Sequence, residues 1–425
     1  MDNSIEKLQK KLIIFVNKKK EDHHKNYDEI DYLNTWLSNL GNFNLKKKFL
    51  DISIWENLKL SFFLFYKRNI SKNYIYYEST THVSKLRKQY QNLIISFKSN
   101  NNDFDNHFSS NRKNSKNSLW FLINLTDKDL IEKSNNIIIS KKKIQNLFFI
   151  KIKTIFLFIF WFFSFKKKYY EKFFFDTLSI AMDKVDLASV KKVFFPYEAQ
   201  PYQKYLINLI KKKNPKCKII AYCHGGLPSV PIEYVYNRLI DEIYVHSKIE
   251  KQILKNFFGW KKSKIFVSKS FRHFDNKKIN SNKFYLPYSF NYDYKLEENL
   301  NILSQEYDLS SIKIASHPFS KNNINQKKLI DYFSKIKKIT PKTRKNPDNI
   351  AIFLGVTGSI LEALQNKLTV IHVTNNPHFE LYSNFLWRNI KIKKISERIF
   401  VYKLKKKDNL IKYSPINYFI KKHRL

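Results

Sequence analysis

The chain has 425 residues, a formal net charge of +42, 43% hydrophobic residues, six glycines and two cysteines. The length suffices for two domains with separate cores; the apolar share supports a folded chain rather than a disordered one, and two cysteines exclude a disulfide scaffold. The charge favours polyanionic partners, although Lys, Asn, Ile, Phe and Tyr share AT-rich codons, so codon bias accounts for part of the lysine excess.

The run "LIIFV" at 12–16 is too short for a signal-peptide core. Asp22, His23 and His24 lie in a charged run and read as a solvated face, not a metal site. The first 97 residues hold amphipathic stretches such as "DISIWENLKLSFFLFYKR" (51–68). Residues 98–118 are polar and low in complexity and read as a flexible loop. "LWFLINL" (119–125) reads as a strand.

"LFFIKIKTIFLFIFWFFSF" (147–165) lies between two KKK triplets and holds nine aromatics. A spanning helix needs roughly 20 apolar residues, and Lys151 and Lys153 interrupt this run. The expectation is a membrane-associating segment in the interface plane, with a core helix and a true span as the alternatives.

After residue 185 strands and helices alternate. "VKKVFFPYE", "KIIAYCHGG", "DEIYVHS" and "SKIFVSKS" read as strands; "QPYQKYLINLIKKKN", "IEYVYNRLI" and "KIEKQILKNFFG" read as helices. Cys217 and Cys223 share one strand face, too far apart to pair. No Cys/His cluster has zinc spacing, and the chain reads as reduced and cytosolic.

Past a break near 275–283 the alternation resumes. "FYLPYSF", "IKIASHP", "NIAIFL", "LTVIHV", "IKIKKIS" and "IFVYKL" read as strands. "LEENLNILSQEY", "NQKKLIDYFSKI" and the segment after "GVTG" read as helices. This predicts an α/β chain of two Rossmann-like domains built on parallel sheets and facing a central cleft. Residues 1–275 would form an acceptor-side domain, 280–405 a nucleotide-binding domain, and 406–425 a tail packing back on the first.

Four of the six glycines, Gly225, Gly226, Gly355 and Gly358, occupy two strand-end loops. Ligands of open parallel sheets bind beyond the carboxyl ends of strands. "GVTGSILEA" has neither the Walker lysine nor GxGxxG. It still suits a phosphate: the glycines admit a close approach, and Thr357 and Ser359 offer hydroxyls at a helix start. The competing reading is a capping box, Ser359-x-x-Glu362, which needs no ligand. Pro318 holds His317 in extended geometry at another strand end, from which its imidazole can bond a phosphate oxygen.

"SHPFS" followed by "GVTGSILEALQNKLTVIHV" resembles the nucleotide-sugar half of GT-B glycosyltransferases, in particular bacterial surface-polysaccharide enzymes using CMP-Kdo or CMP-sialic acid. "FFPYEAQPYQKYL" with "IIAYCHGG" resembles the first-domain part of surface-carbohydrate biosynthesis proteins. The resemblance spans roughly residues 190–375. It implies that His317 and Pro318 meet the donor phosphate, that Gly355, Thr357, Gly358 and Ser359 flank it, and that Glu362 accepts from ribose hydroxyls. No acidic-acidic-Gly motif of the kind that carries the base in some of these enzymes is present. Glu198 and then His224 are the candidate bases for an acceptor hydroxyl, with Gly225 and Gly226 shaping the acceptor loop.

The resemblance implies a metal-independent transferase without a cofactor, whose co-substrate is a nucleotide sugar. The acceptor would be a lipid-linked or growing saccharide. An anionic membrane surface would be a partner and nucleic acid would not. The enzyme would sit peripherally on the inner membrane face, or free in the cytoplasm. The alternatives are a CDP-polyol phosphotransferase of the same fold and a non-catalytic nucleic-acid-binding protein. The latter predicts aromatics interleaved with basic residues on an exposed face, whereas the aromatics here lie mostly in apolar strands.

Overall fold

A computed structural model of the chain describes residues 3–18, 75–78, 91–98, 118–124, 136–140, 182, 185–197, 201–223, 226–268, 279–287, 290, 292–316, 324–339, 349–355, 357–375, 377–405 and 410–411. Two sheets organise them. The first contains β1 (Ile75–Glu78), β2 (Asn92–Lys98), β3 (Ser118–Asn124), β4 (Asn136–Ser140), β5 (Lys192–Tyr197), β6 (Lys218–Cys223), β7 (Glu242–Val245) and β8 (Ile265–Val267). Their order is β1-β4-β3-β2-β5-β6-β7-β8. Every pairing is parallel except that of the edge strand β1 with β4.

The second sheet contains β9 (Lys283–Tyr285), β10 (Lys313–Ala315), β11 (Ile350–Leu354), β12 (Thr369–Val373), β13 (Ile390–Lys394) and β14 (Ile399–Leu404), in the order β10-β9-β11-β12-β14-β13. The first four are mutually parallel. β13 and β14 close the sheet as an antiparallel pair.

The helices are α1 (Asn3–Lys18), α2 (Pro201–Lys213), α3 (Lys248–Phe257), α4 (Tyr294–Glu306), α5 (Ile324–Ile339), α6 (Ser359–Gln365) and α7 (Pro377–Glu380). The central strands β11 and β12 are buried along their whole length, as a sheet covered on both faces requires, whereas the edge strands β8, β10 and β13 are partly exposed. β11 shows the two-residue period: Ala351 and Phe353 join one core, and Ile350, Ile352 and Leu354 join the other. The core holding Ala351 and Phe353 continues without interruption into the first sheet through Ile219, Ala221 and Ile243.

"IEYVYNRLI" is not a helix. After Pro231 it makes a single 3-10 turn, Ile232–Tyr234, and then irregular chain. Trp260 explains the difference, because its indole Nε1–H donates to the Tyr234 carbonyl at 2.6 Å. The Tyr236 N–H donates to Phe258 O at 2.8 Å. These long-range bonds take the backbone groups a helix would have used.

Cys217 and Cys223 are buried free thiols, as the spacing required. No helix among the described residues is long and apolar enough to cross a membrane. The segment 147–165 lies outside the described residues, as do residues 99–117 of the expected loop. Of the tail, Leu410 and Ile411 are buried and donate their N–H groups to Gln365 Oε1 on α6.

Candidate functional site

Chain order reverses direction within each sheet between two neighbouring strands, and a crevice opens outside their carboxyl ends. In the first sheet the reversal lies between β2 and β5, at Lys98 and Tyr197. In the second it lies between β9 and β11, at Tyr285 and Leu354. The Gly355–Gly358 loop leaves the sheet at this second crevice. A Cβ on Gly355 would lie 3.7 Å from Pro287 Cγ, just past β9, and 3.5 Å from Asn375 Nδ2, just past β12. The Tyr285 hydroxyl at the end of β9 turns back to Asn280, accepting from its N–H at 2.9 Å, and the phenol is raised by burial first and by the Glu362 charge last.

Gly355 has φ +64°, which a residue with a Cβ adopts only under strain. Its carbonyl is held from beneath by His372 Nε2 at 2.8 Å. A carbonyl only accepts, so Nε2 carries the proton. Nδ1 is then the acceptor for the Tyr402 hydroxyl at 3.0 Å. Burial lowers the imidazole to about 4, so it is neutral at physiological pH. Tyr402 in turn accepts from the Tyr382 backbone N–H. The Tyr382 hydroxyl reaches the Thr357 carbonyl at 3.5 Å.

The capping box expected of Ser359 and Glu362 does not form. The helix cap is Gly358, with no side-chain cap bond, and Ser359 is already the first helical residue. Thr357 Oγ1 accepts instead from the Ser359 N–H at 3.3 Å. The helix start is set one step earlier because β11 delivers the chain through the left-handed Gly355. Gly358 has φ −63°, an ordinary helical value. Among the described residues nothing lies within 4 Å of where its Cβ would be.

The first glycine loop approaches this helix directly. A Cβ on Gly226 would lie 2.9 Å from Leu361 Cδ1 on α6 and 3.4 Å from Glu250 Oε1. Ser229 Oγ donates to Phe379 O at 2.6 Å, and Trp387 Nε1 donates to Ser229 O at 2.8 Å. Loops beyond the carboxyl end of the first sheet thus meet helices beyond the carboxyl end of the second. The described residues form two Rossmann-like units whose carboxyl-end loops face each other.

Glu250 fixes the Gly226 side. Ser247 Oγ accepts from the Glu250 N–H at 3.2 Å and caps α3. The fully buried Glu250 carboxylate accepts from Leu227 N–H at 2.8 Å, His246 N–H at 2.6 Å and the Ser247 backbone. Burial pushes its pKa up to about 7, and these donors pull against that shift. The buried Tyr382 phenol is raised by desolvation and then by the Glu250 charge, so the two groups are close. Two buried polar groups thus flank the junction: Glu250 with Leu227, His246 and Ser247 on one side, and Tyr382, Tyr402 and His372 leading to Gly355 on the other. At the same edge, burial lowers the Lys204 amine to about 8, while the buried Glu233 carboxylate draws it back upward.

Of the residues singled out from sequence, Gly226, Gly355, Thr357, Gly358, Ser359 and Glu362 are brought to this junction. Glu198, His224, Gly225, His317 and Pro318 lie outside the described residues. They directly follow or flank the ends of β5, β6 and β10. Sequence reasoning missed Glu250 and His372. The signature Ser-x-x-Glu at 247–250, before an apolar run, was available for Glu250. A single histidine in the buried strand "LTVIHV" was the signal for His372. No group of metal-ligating side chains occurs among the described residues.

No family model and no curated protein sequence matches this chain. Among solved structures it is similar to a variant of the wall teichoic acid polymerase TagF soaked with CDPG. The two are 10% identical, with 77% of this chain and 78% of that chain covered and a TM-score of 0.34. A similarity that distant does not bear on what this chain binds.

Proposed function

We propose that the chain is a glycosyltransferase of surface-polymer synthesis that takes a sugar from a nucleotide-sugar donor, CMP-linked by the resemblance of its motifs. The observation that carries the ligand site is Gly358. In a chain with six glycines, this one is required neither by its backbone angles nor by its described neighbours. A phosphate approaching the start of α6 accounts for the missing side chain. Thr357 and Ser359 would flank that phosphate, His317 and Pro318 would meet it from the end of β10, and Glu362 would accept from the ribose. Glu198 or His224, following β5 and β6, would take the proton from the acceptor hydroxyl. Helix N–H groups and positive side chains would offset the charge of the departing nucleotide. The acceptor is a saccharide, growing or lipid-linked.

The test is a thermal-shift panel of CMP, CDP, UDP, GDP and ADP on the natural chain and on Gly358→Val. A ligand at 100 times its Kd stabilises by about 2.7 kcal/mol. The expected result is a cytidine-selective shift that Gly358→Val abolishes, while the free protein still melts cooperatively and loses no more than the roughly 1 kcal/mol of a poorer helix cap. A shift unaltered in Gly358→Val would remove the phosphate from this loop. No shift with any nucleotide would end the transferase reading.

A further inference from the structure

Helix α1 has two distinct faces. Ile5, Gln9, Ile13 and Val16 recur at helical spacing and are buried. Gln9 Nε2 donates to the His378 carbonyl at 3.2 Å and the Leu381 carbonyl at 3.1 Å, both in the second unit. Asn17 Nδ2 donates to Phe257 O at 2.6 Å, in the first unit. Beside these bonds the rings of Phe257 and Phe385 pack edge-on at 4.6 Å, joining the two units. Lys10 Nζ lies 4.9 Å over the Phe385 ring. The inner face of α1 is a strap across both units.

The opposite face exposes Ser4, Lys7, Leu8, Lys10, Lys11 and Ile14. At 3.6 residues per turn these positions fall within about 160° of arc. Leu8 is 43% and Ile14 56% exposed, two of the few large apolar side chains so exposed among the described residues. The face holds three lysines and no acid; the helix has one acid, Glu6, and it is half-buried. Lysines without an acid, set around projecting Leu and Ile, match a surface that is both anionic and apolar just beneath, as an anionic bilayer is.

We infer that the outer face of α1 seats the protein on an anionic lipid bilayer. Leu8 and Ile14 enter the headgroup layer, and Lys7 and Lys11 meet lipid phosphates. The chain's charge of +42 favours the same approach. Because α1 also straps both units, seating it fixes the orientation of the cleft to the bilayer. The inference needs only this face and stands apart from the glycosyl-transfer reading.

The experiment is co-sedimentation of the full chain with phosphatidylcholine vesicles, with and without phosphatidylglycerol. The natural chain should bind only the anionic vesicles. Charge reversal by Lys7→Glu with Lys11→Glu should weaken that binding at least about 25-fold, from about fivefold per lost lysine. Leu8→Ser with Ile14→Ser should weaken it several-fold and make the remainder more salt-sensitive. Both pairs change exposed positions, so the melting temperature and any nucleotide response should be retained. Binding equal to the natural chain in the charge-reversed variant would overturn the inference. So would a variant that loses affinity for an RNA oligonucleotide while keeping its affinity for vesicles. If a variant melts early, acetylation footprinting of the natural chain decides: Lys7 and Lys11 should lose reactivity when anionic vesicles are added, and unchanged reactivity overturns the seat.

Discussion

Gly226→Ala tests the contact that brings the two glycine loops together. The added Cβ would lie 2.9 Å from Leu361 Cδ1 and 3.4 Å from Glu250 Oε1. Carbon atoms rest at about 3.5–4.0 Å, so either the loop withdraws or Leu361 leaves its rotamer. Leu361 is wholly buried, which confines its movement. Overpacking at such a site costs roughly 1–3 kcal/mol. Leu361→Ala alone removes buried carbons and costs roughly 2–5 kcal/mol. In the double variant the alanine methyl at 226 moves into the space that Leu361 vacates, so the two costs overlap. Their sum should exceed the double-variant cost by at least about 1 kcal/mol, the coupling of residues in contact. Urea unfolding at constant m value measures all three. Costs that add to within about 0.5 kcal/mol, as for distant sites, would refute the contact.

Gly355→Ala places a Cβ at φ +64° and should destabilise by roughly 1–2 kcal/mol; an unchanged melting temperature would show that the loop does not need the left-handed turn. Glu250 has its folded pKa raised to about 7 from 4.5, so the folded state holds a proton that the unfolded state releases, and its contribution falls as pH rises from 4.5 to 7. Glu250→Gln should therefore gain stability relative to the natural chain across that window, by about 3 kcal/mol; a pH-independent difference in urea midpoints would refute the shift. His372 is depressed to about 4, so the unfolded chain takes up its proton first as pH falls below 6.5. The destabilisation caused by His372→Gln should accordingly shrink between pH 6.5 and 4, again by about 3 kcal/mol; a constant gap would mean that the imidazole is not held neutral.

The alternation after residue 185 was legible because most strands there are short apolar runs and most helices carry their own period. "IEYVYNRLI" misled for a definite reason. Ile232–Val235 are buried consecutively and the segment's backbone is bonded by Trp260 and Phe258, a demand that does not follow a helical period. "NLIISFK" and "NIIIS" were passed over as strands, although β-branched runs of that length signal them. The two Ser-x-x-Glu signatures show where local reading ends. The pair Ser247 and Glu250 caps α3, and its carboxylate goes on to hold Leu227, 23 residues away. The pair Ser359 and Glu362 makes no such cap, because a left-handed glycine set the helix start before Ser359 could.

The glycines make the same point more sharply. In the sequence Gly226, Gly355 and Gly358 look alike, small residues in strand-end loops. In the fold each answers a different demand. Gly355 is required by its own φ angle, a property of one residue. Gly226 is required by a leucine 135 positions later in the chain, a property of how two sheets face each other. Gly358 is required by nothing described in the protein around it. Local chemistry reveals the first, tertiary structure the second. The third points outward, to a molecule that must come closer to the start of α6 than any side chain would allow.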